Sequence, residues 1–292
     1  MINDSHCHFF SSRFLELLAP NAGTADDIAG RLQWTAPGAP AQLADRWIAE
    51  LDRHGVSRAA LIASIPGDAP SVADAVSRHR DRFVGFFMHN PAAPGADAVL
   101  ARALAELHMR AVCLFPAMHG YRLDDEVVEG VFRAAASSGA AVFAHCGVLT
   151  VGVRKKLGLP SRFDLRLGDP LALARTALAF PDVPVIIPHF GAGYFREALM
   201  AADQCATIHL DTSSSNGWIK FHPGLTLEGV FNQALAVVGP SRLLFGTDSS
   251  FFPRGWQAGI YEEQQRIMNS LGVSVDDRTA SFGGNFDRLF PA

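Results

Sequence analysis

Residues 1–10 read MINDSHCHFF, with His6 and His8 two positions apart in a candidate first strand. Successive side chains of a strand point to opposite faces, so both imidazoles share one face and Cys7 takes the other. That spacing makes a chelating pair; the competing reading is two polar residues at a strand end. Three further segments end in the same manner. VFAHCG (142–147), VIIPHFG (185–191) and LLFGTDSSF (243–251) deliver His145, His189 and Asp248 directly after β-rich apolar runs. Each alone reads as a structural polar residue. Taken together they require a fold that gathers distant strand ends at one rim, which a closed barrel does.

The rest of the chain supplies such a fold. Short apolar β-type runs alternate with segments of helical spacing, the pattern of parallel strands joined by crossover helices. The expected strands are Met1 to His8, Arg58 to Ser64, Phe83 to Met88, Ala111 to Phe115, Ala141 to Cys146, Val183 to His189, Ala206 to Asp211 and Arg242 to Thr247. The expected helices are Leu43 to Arg53, Val72 to Arg80, Ala96 to Leu107, Glu126 to Ser137, Pro170 to Phe180, Tyr194 to Ala202, Leu227 to Val238 and Gln257 to Leu271. Eight such units predict an α/β chain folded as a (β/α)8 TIM barrel, one domain over residues 1–292. Asp124 or Asp125 and Thr226 stand where N-caps belong, and Gly139 and Gly239-Pro240 where helices stop. Three connections exceed what a crossover needs: Phe9 to Ala41, Gly147 to Asp169 and Thr212 to Leu225. They read as lid-like loops at the carboxyl ends of strands one, five and seven.

Composition narrows the function. The 292 residues carry 25 Lys plus Arg against 29 Asp plus Glu, a net charge of −4, and 49% are hydrophobic. A weakly acidic chain without a basic run offers no footprint for nucleic acid. No run of eighteen apolar residues and no basic, apolar leader occurs, so the expectation is a soluble cytoplasmic protein without a membrane partner. Cys7, Cys113, Cys146 and Cys205 are scattered and form no CxxC pair, so reduced thiols are expected. The signatures of serine hydrolases, P-loops and dinucleotide folds are missing.

The order HxH on strand one, His after strands five and six, and Asp after strand eight resembles the amidohydrolase superfamily. DSHCHF, PHFG, FGTDS and the terminal SFGGNFDRLF are similar to the amidohydrolase-related branch that also contains aminocarboxymuconate-semialdehyde decarboxylase. The similarity runs from Ser5 to Phe290. It implies that His6, His8, His145 and Asp248 surround one divalent metal ion, zinc or alternatively manganese, and that His189 acts beside it as acid/base. It also implies that Asp248 relays a proton. Imidazoles plus a carboxylate, with a position left for water, are a typical catalytic zinc set in their own right. Binuclear relatives bridge two metals with a strand-four lysine, but the three lysines here, Lys155, Lys156 and Lys220, lie elsewhere. Cys113, in AVCLFP, takes that position, so one metal is expected, with a Cys113-ligated second metal as the alternative. The sequence also departs from its relatives after the strand-eight aspartate, where it reads SSFFPRGW (249–256).

Substrate anchors are less defined. Arg154, in the basic stretch VGVRKKLGLPSRF, Arg196 and Arg254 compete as forks for a carboxylate, and Trp256 is a candidate for the pocket wall. Trp218, Phe9, Phe10, Phe251 and Trp34 are aromatic candidates of the same kind. His209 and Asp211, two apart on strand seven, have no motif behind them. The leading expectation is a metal-dependent hydrolase of a small anionic cyclic ester, lactone or amide. The alternatives are a metal-dependent non-oxidative decarboxylase of an aromatic or muconate-type acid and a metal-poor binding protein. Barrels of this resemblance often pair as homodimers, and no sequence feature fixes an interface.

Overall fold

Alternation along the strands sorts the apolar side chains into two layers. The computed structural model describes residues 1–214 and 216–292. Eight parallel strands, β1 (Ile2–His8), β2 (Val56–Ala63), β3 (Phe83–His89), β4 (Ala111–Leu114), β5 (Ala141–Ala144), β6 (Val185–Ile187), β7 (Ile208–Asp211) and β8 (Leu243–Leu244), follow one another around a single sheet in chain order. Ser5 N–H donates to Phe245 O (2.8 Å), Asp248 N–H to His6 O (2.9 Å) and His8 N–H to Ser249 O (2.7 Å), bringing the two ends of the sheet together. The result is the expected TIM barrel. Ile62, Phe86, Cys113, Phe143, Ile186 and Leu244 pack inside it. Their strand neighbours, among them Leu61, Phe87, Val112, Val142 and Ile187, pack outward under the helices.

The helices are α1 (Ser12–Leu18), α2 (Ala25–Leu32), α3 (Pro40–Arg53), α4 (Ala69–Arg78), α5 (Ala96–Ala105), α6 (Pro116–His119), α7 (Glu126–Ser138), α8 (Gly152–Lys156), α9 (Pro170–Ala179), α10 (Phe195–Gln204), α11 (Leu227–Val238), α12 (Ala258–Ser270), α13 (Val275–Thr279) and α14 (Asn285–Leu289). All eight expected crossover helices are present with ends shifted by a few residues. Thr226 caps α11 by accepting from Gly229 N–H, whereas Asp125, at the N-cap of α7, turns its carboxylate to Arg122 N–H. Among the described residues no helix is long and apolar enough to cross a membrane.

The three long connections are more structured than their Gly- and Pro-rich composition suggests. Residues 9–41 hold α1 and α2: Ser11 Oγ accepts from Phe14 N–H, and Thr24 and Asp27 form a reciprocal capping box. Phe14, Leu15, Leu18, Ile28 and Leu32 bury in a small core of their own, which Val153 of α8 joins from the connection after β5. After β7 a 3₁₀ turn spans Asn216–Phe221, while residue 215 of that expected loop lies outside the described residues. At the opposite end of the barrel the terminal SFGGNFDRLF segment forms a plug. Phe286 and Phe290 enter the inner core, and Asn285 Nδ2 donates to Pro240 O and Leu243 O.

One glycine ties two mouth loops together. Gly147, just after His145, has φ +70°, and a Cβ there would stand 2.3 Å from both Gly191 O and Ala192 O. The loop after β6 therefore rests on bare backbone at this point. Gly147→Ala is expected to cost about 3 kcal/mol of stability in chemical denaturation, since rigid carbonyls cannot yield as a side-chain tip would. A loss below about 0.5 kcal/mol would show that the loops are not packed this closely.

Candidate active site

Inner-face parity delivers most of the site. His6 and His8 continue the inner face of β1, and Cys7 packs in the outer layer as the spacing predicts. On β5 the inward Phe143 is followed two positions later by His145, and on β8 the inward Leu244 is followed at even steps by Gly246 and Asp248. β6 breaks the rule. Val185 and Ile187 face outward, so an extended chain would carry His189 outward too; left-handed backbone at His189 (φ 53°) and Phe190 (φ 54°) turns it into the mouth instead. Asp248 is also left-handed (φ 58°). Such conformations cost about 1–3 kcal/mol each in non-glycine residues and persist where surrounding structure holds them.

His6, His8 and Asp248 each offer a ligating atom within 4.8 Å of the others. His8 Nε2 is 2.9 Å and His6 Nε2 3.8 Å from Asp248 Oδ1. His145 and His189 line the same cavity; His189 has its ring centre 5.0 Å from that of His6 and 5.5 Å from that of His145. His145 stands outside the close group of three.

A second layer fixes the rings. His6 Nδ1 donates to Asp211 Oδ2 (2.9 Å), whose other oxygen accepts from Ser213 N–H (2.6 Å). Ser213 Oγ lies 3.0 Å from His6 Nδ1 and 2.9 Å from His189 Nδ1, bridging the two imidazoles. Ser64 Oγ donates to Ile62 O (3.0 Å) and so accepts from His8 Nδ1 at 2.6 Å. Asp4 cross-links β1 to the β8 loop by accepting from His6 N–H (2.9 Å), Thr247 N–H (3.1 Å), Thr247 Oγ1 and Trp256 Nε1 (2.7 Å). Gly246 leaves room for this layer, since a Cβ there would meet His6 Cβ at 2.8 Å and Ser213 Cβ at 3.0 Å.

The titration pattern follows from burial and charge. Burial opposes ionisation of Asp248, but His8, His6 and His189 outweigh it and hold the carboxyl below its usual range. Burial likewise opposes the imidazolium of His6, yet Asp211, Asp248 and Asp4 raise its pKa. His8, His145 and His189 are lowered, burial being the largest cause for each and neighbouring histidines adding to it.

The donor chemistry fits a cation. With Nδ1 of His6 and His8 turned to Asp211 and Ser64, both Nε2 atoms face the Asp248 carboxylate and, once deprotonated, offer lone pairs for a metal ion. Two imidazole nitrogens and a carboxylate oxygen facing one point are a donor set that suits a divalent cation. His145 Nδ1 is buried and has no hydrogen-bond partner among the described residues.

The cavity above these groups measures about 700 Å³. Phe10, Trp34, Trp218 and Phe251 line it as expected, while Phe9 is buried in the outer core. Of the expected anchors, Arg254 lines the cavity; its Nη2 donates to Asp248 O (3.1 Å) and Ser250 Oγ (2.6 Å). The other three lie outside the lining. Arg154 spends its fork on Pro160 O, Arg196 is exposed and paired with Glu197, and Trp256 is buried with its ring nitrogen on Asp4. Cys113 sits in the inner core, where burial pushes its thiol pKa up. Sequence reading passed over Asp4, Ser64, Ser213 and the contact between Asp211 and His6. Period two from His6 and from His209 places Asp4 and Asp211 on the inner face, but no motif marks them.

Solved structures share the architecture. An uncharacterised TIM-barrel protein from Bordetella bronchiseptica aligns with TM-score 0.68 at 18% identity, covering 99% of this chain and 97% of that one. A 5-carboxyvanillate decarboxylase from Novosphingobium aromaticivorans, with bound manganese and 3-methoxy-4-hydroxy-5-nitrobenzoic acid, aligns with TM-score 0.66 at 16% identity over 100% and 97% of the chains. A probable 2-pyrone-4,6-dicarboxylic acid hydrolase from Acinetobacter baumannii, with citric acid bound, gives 0.65 at 15% identity over 100% and 99%. Identities this low speak to the fold alone. Among curated proteins no significant match is found. The family model described as amidohydrolase, in contrast, matches residues 4–292, and the chain therefore belongs to the amidohydrolase family.

Proposed function

We propose that the protein is a metal-dependent hydrolase of a small anionic cyclic ester, lactone or amide. The observation that carries this reading is the convergence of His6 Nε2, His8 Nε2 and the Asp248 carboxylate below the cavity that also holds His145 and His189. These residues, with His145 as the fourth donor, would hold one divalent ion, zinc or alternatively manganese. When bound, such an ion polarises a carbonyl and lowers the pKa of water from 15.7 to about 7.

The chain supplies the rest. His189, kept neutral by burial and fixed through Ser213, accepts a proton from the attacking water and returns it to the leaving oxygen or nitrogen. Asp248, held ionised, is the second proton acceptor at the same point. Arg254, anchored to Asp248 O and Ser250, presents its remaining donors to the substrate carboxylate. A second reading, non-oxidative decarboxylation of an aromatic acid, draws support from the cavity wall, where Phe10, Trp34 and Phe251 stack with ring centres 5.5 and 4.3 Å apart and suit a planar ring. In that reaction His189 protonates the carbon that loses carbon dioxide.

Elemental analysis and a panel of lactones and hydroxybenzoates test both readings. Near-stoichiometric metal, activity lost with chelation and regained on reconstitution, and ring-opened acid without carbon dioxide are expected. Carbon dioxide as product would transfer the assignment to the decarboxylase, and a protein that takes no metal on reconstitution would overturn both. His189→Ala is expected to lower kcat by about 10²–10⁴-fold with metal content unchanged; turnover equal to wild type would remove the acid/base role. Asp211→Asn is expected to weaken metal binding by about 10–100-fold in equilibrium dialysis, because the carboxylate orients His6. An unchanged dissociation constant would deny Asp211 that part.

A further inference from the structure

The core face of α12 is interrupted at its centre. Ile260 and Tyr261 lie one turn before Gln264, and Ile267 and Met268 one turn after it; all four are hydrophobic side chains packed on the outer layer of the barrel, as helical spacing predicts. Gln264 stands between them and is buried. A buried amide without partners is costly, and this one finds both of its partners in a single residue. Gln264 Nε2 donates to Thr212 O and Gln264 Oε1 accepts from Thr212 Oγ1, each at 2.7 Å.

Thr212 is the residue at which the chain leaves β7. Its N–H donates to Leu244 O of β8 (2.9 Å), and Ser213 N–H turns back to Asp211 Oδ1 (2.6 Å). The carbonyl of Thr212 has no strand to pair with at this point, and Gln264 takes the place of one. Alternation sends Asp211 and Ser213 to the inner face and Thr212 to the outer one, toward α12. The turn is bounded on the inside as well: a Cβ on Gly246 would stand 3.0 Å from Ser213 Cβ and 3.2 Å from Asp211 Oδ1, so the loop after β8 leaves little room there. Packing opposes an inward shift of the turn, and the two bonds from Gln264 oppose an outward one.

From this arrangement we infer that Gln264 is a positioning residue of the site: by clamping Thr212 it fixes the turn Asp211–Ser213, and with it the ring orientations of His6 and His189. Asp211 Oδ2 meets His6 Nδ1 at 2.9 Å, and Ser213 Oγ lies 3.0 Å from His6 Nδ1 and 2.9 Å from His189 Nδ1. All three contacts depend on one short turn, so an outward shift lengthens them together. Gln264 bonds to neither ring and acts through the backbone of Thr212. This role deepens the proposed function and rests on its assignment of His6 as a metal ligand and His189 as the acid/base.

Ring-nitrogen NMR of the metal-free protein, carrying isotope-labelled histidine, tests the clamp, with zinc binding as a second readout. In Gln264→Leu the Nδ1 resonances of His6 and His189, assigned from His6→Gln and His189→Gln, are expected to move together. Those of His79 and His119, which bond to neither Asp211 nor Ser213, are expected to stay in place. Thr212→Val loses the hydroxyl and keeps the carbonyl bond, so a smaller shift in the same direction is expected, and none in Thr212→Ser; this pair decides the matter if Gln264→Leu fails to fold. In equilibrium dialysis Gln264→Leu is expected to raise the zinc dissociation constant about tenfold, the low end for a group behind a ligand. Added to Asp211→Asn it is expected to raise it by less than about twofold, because both act through one contact with His6. A full tenfold increment on that background overturns the positioning role, as do His6 and His189 resonances unmoved in both Gln264→Leu and Thr212→Val; either result leaves the metal reading intact. A wild-type protein that takes neither zinc nor manganese on reconstitution sinks the metal reading instead, and the resonances alone then decide for or against the clamp.

Discussion

A carboxylate drawn out of bulk water into a barrel mouth stays ionised only where donors and positive charge face it. Asp248 meets that condition through His8, His6 and His189, and Asp211 meets it one layer deeper through His6, His189 and Ser213. Both carboxyls are held below their usual range, while His8, His145 and His189 are pushed toward neutrality. Only His6 among the four imidazoles is shifted toward the charged form. The centre therefore has an excess of negative charge together with bare imidazole nitrogens. A divalent cation is the species that both features suit, and removing any one carboxylate would change the balance for all the rings.

The same constraint explains the polar layer behind the candidate ligands. Burying Asp4 raises its pKa, and its four donors from His6, Thr247 and Trp256 work against that penalty. Those donors come from β1 and from the loop that carries Asp248, so satisfying one buried carboxyl also fixes the separation of two candidate ligands. Trp256 belongs to this scaffold rather than to the cavity wall. Ser213 has a comparable double duty, since one hydroxyl meets Nδ1 of both His6 and His189. The proposed metal ligand and the proposed acid/base are thus oriented by one side chain, and neither ring can rotate without disturbing the other.

Where local chemistry repeats along the chain, the sequence was readable. Period-two alternation identified the strands, paired His6 with His8 and sent Cys7 outward; caps such as Thr226 marked helix ends. The convergence of strand ends in a closed barrel grouped His145, His189 and Asp248 at one mouth, and the resemblance gave them roles. Two kinds of information were not legible. Short capped helices such as α1 and α2 lie inside segments whose Gly and Pro content reads as loop, and their burial depends on a satellite core shared with α8, a contact between distant parts of the chain. Side-chain direction at positions of unusual backbone was the other. His189 reaches the mouth through a left-handed turn that no alternation rule anticipates, and the fates of Arg154 and Arg196 were decided by nearby acceptors that outcompeted the cavity.

That shared satellite core also bears on how selectivity and chemistry are divided. α1, α2 and α8 arise from the connections after β1 and β5, yet Phe14, Ile28, Leu32 and Val153 pack as one cluster beside the mouth. Phe10, Trp34 and Lys156 are therefore positioned by a body that sits on the barrel, whereas His6, His8, His145 and Asp248 are positioned by the strands and their immediate ends. The small core and the inner core of the barrel, with Phe86, Phe143 and Phe290, are separate apolar clusters. Substitutions that reshape the first body can alter which ring is held while the strand ends keep their geometry. Residues 249–256 fall at the junction of the two, since Asp248 is set by the barrel and Phe251 by its stack on Trp34. The cavity wall is consequently set by the insertions and this junction, and the candidate ligands His6, His8 and His145 by the parity of the strands.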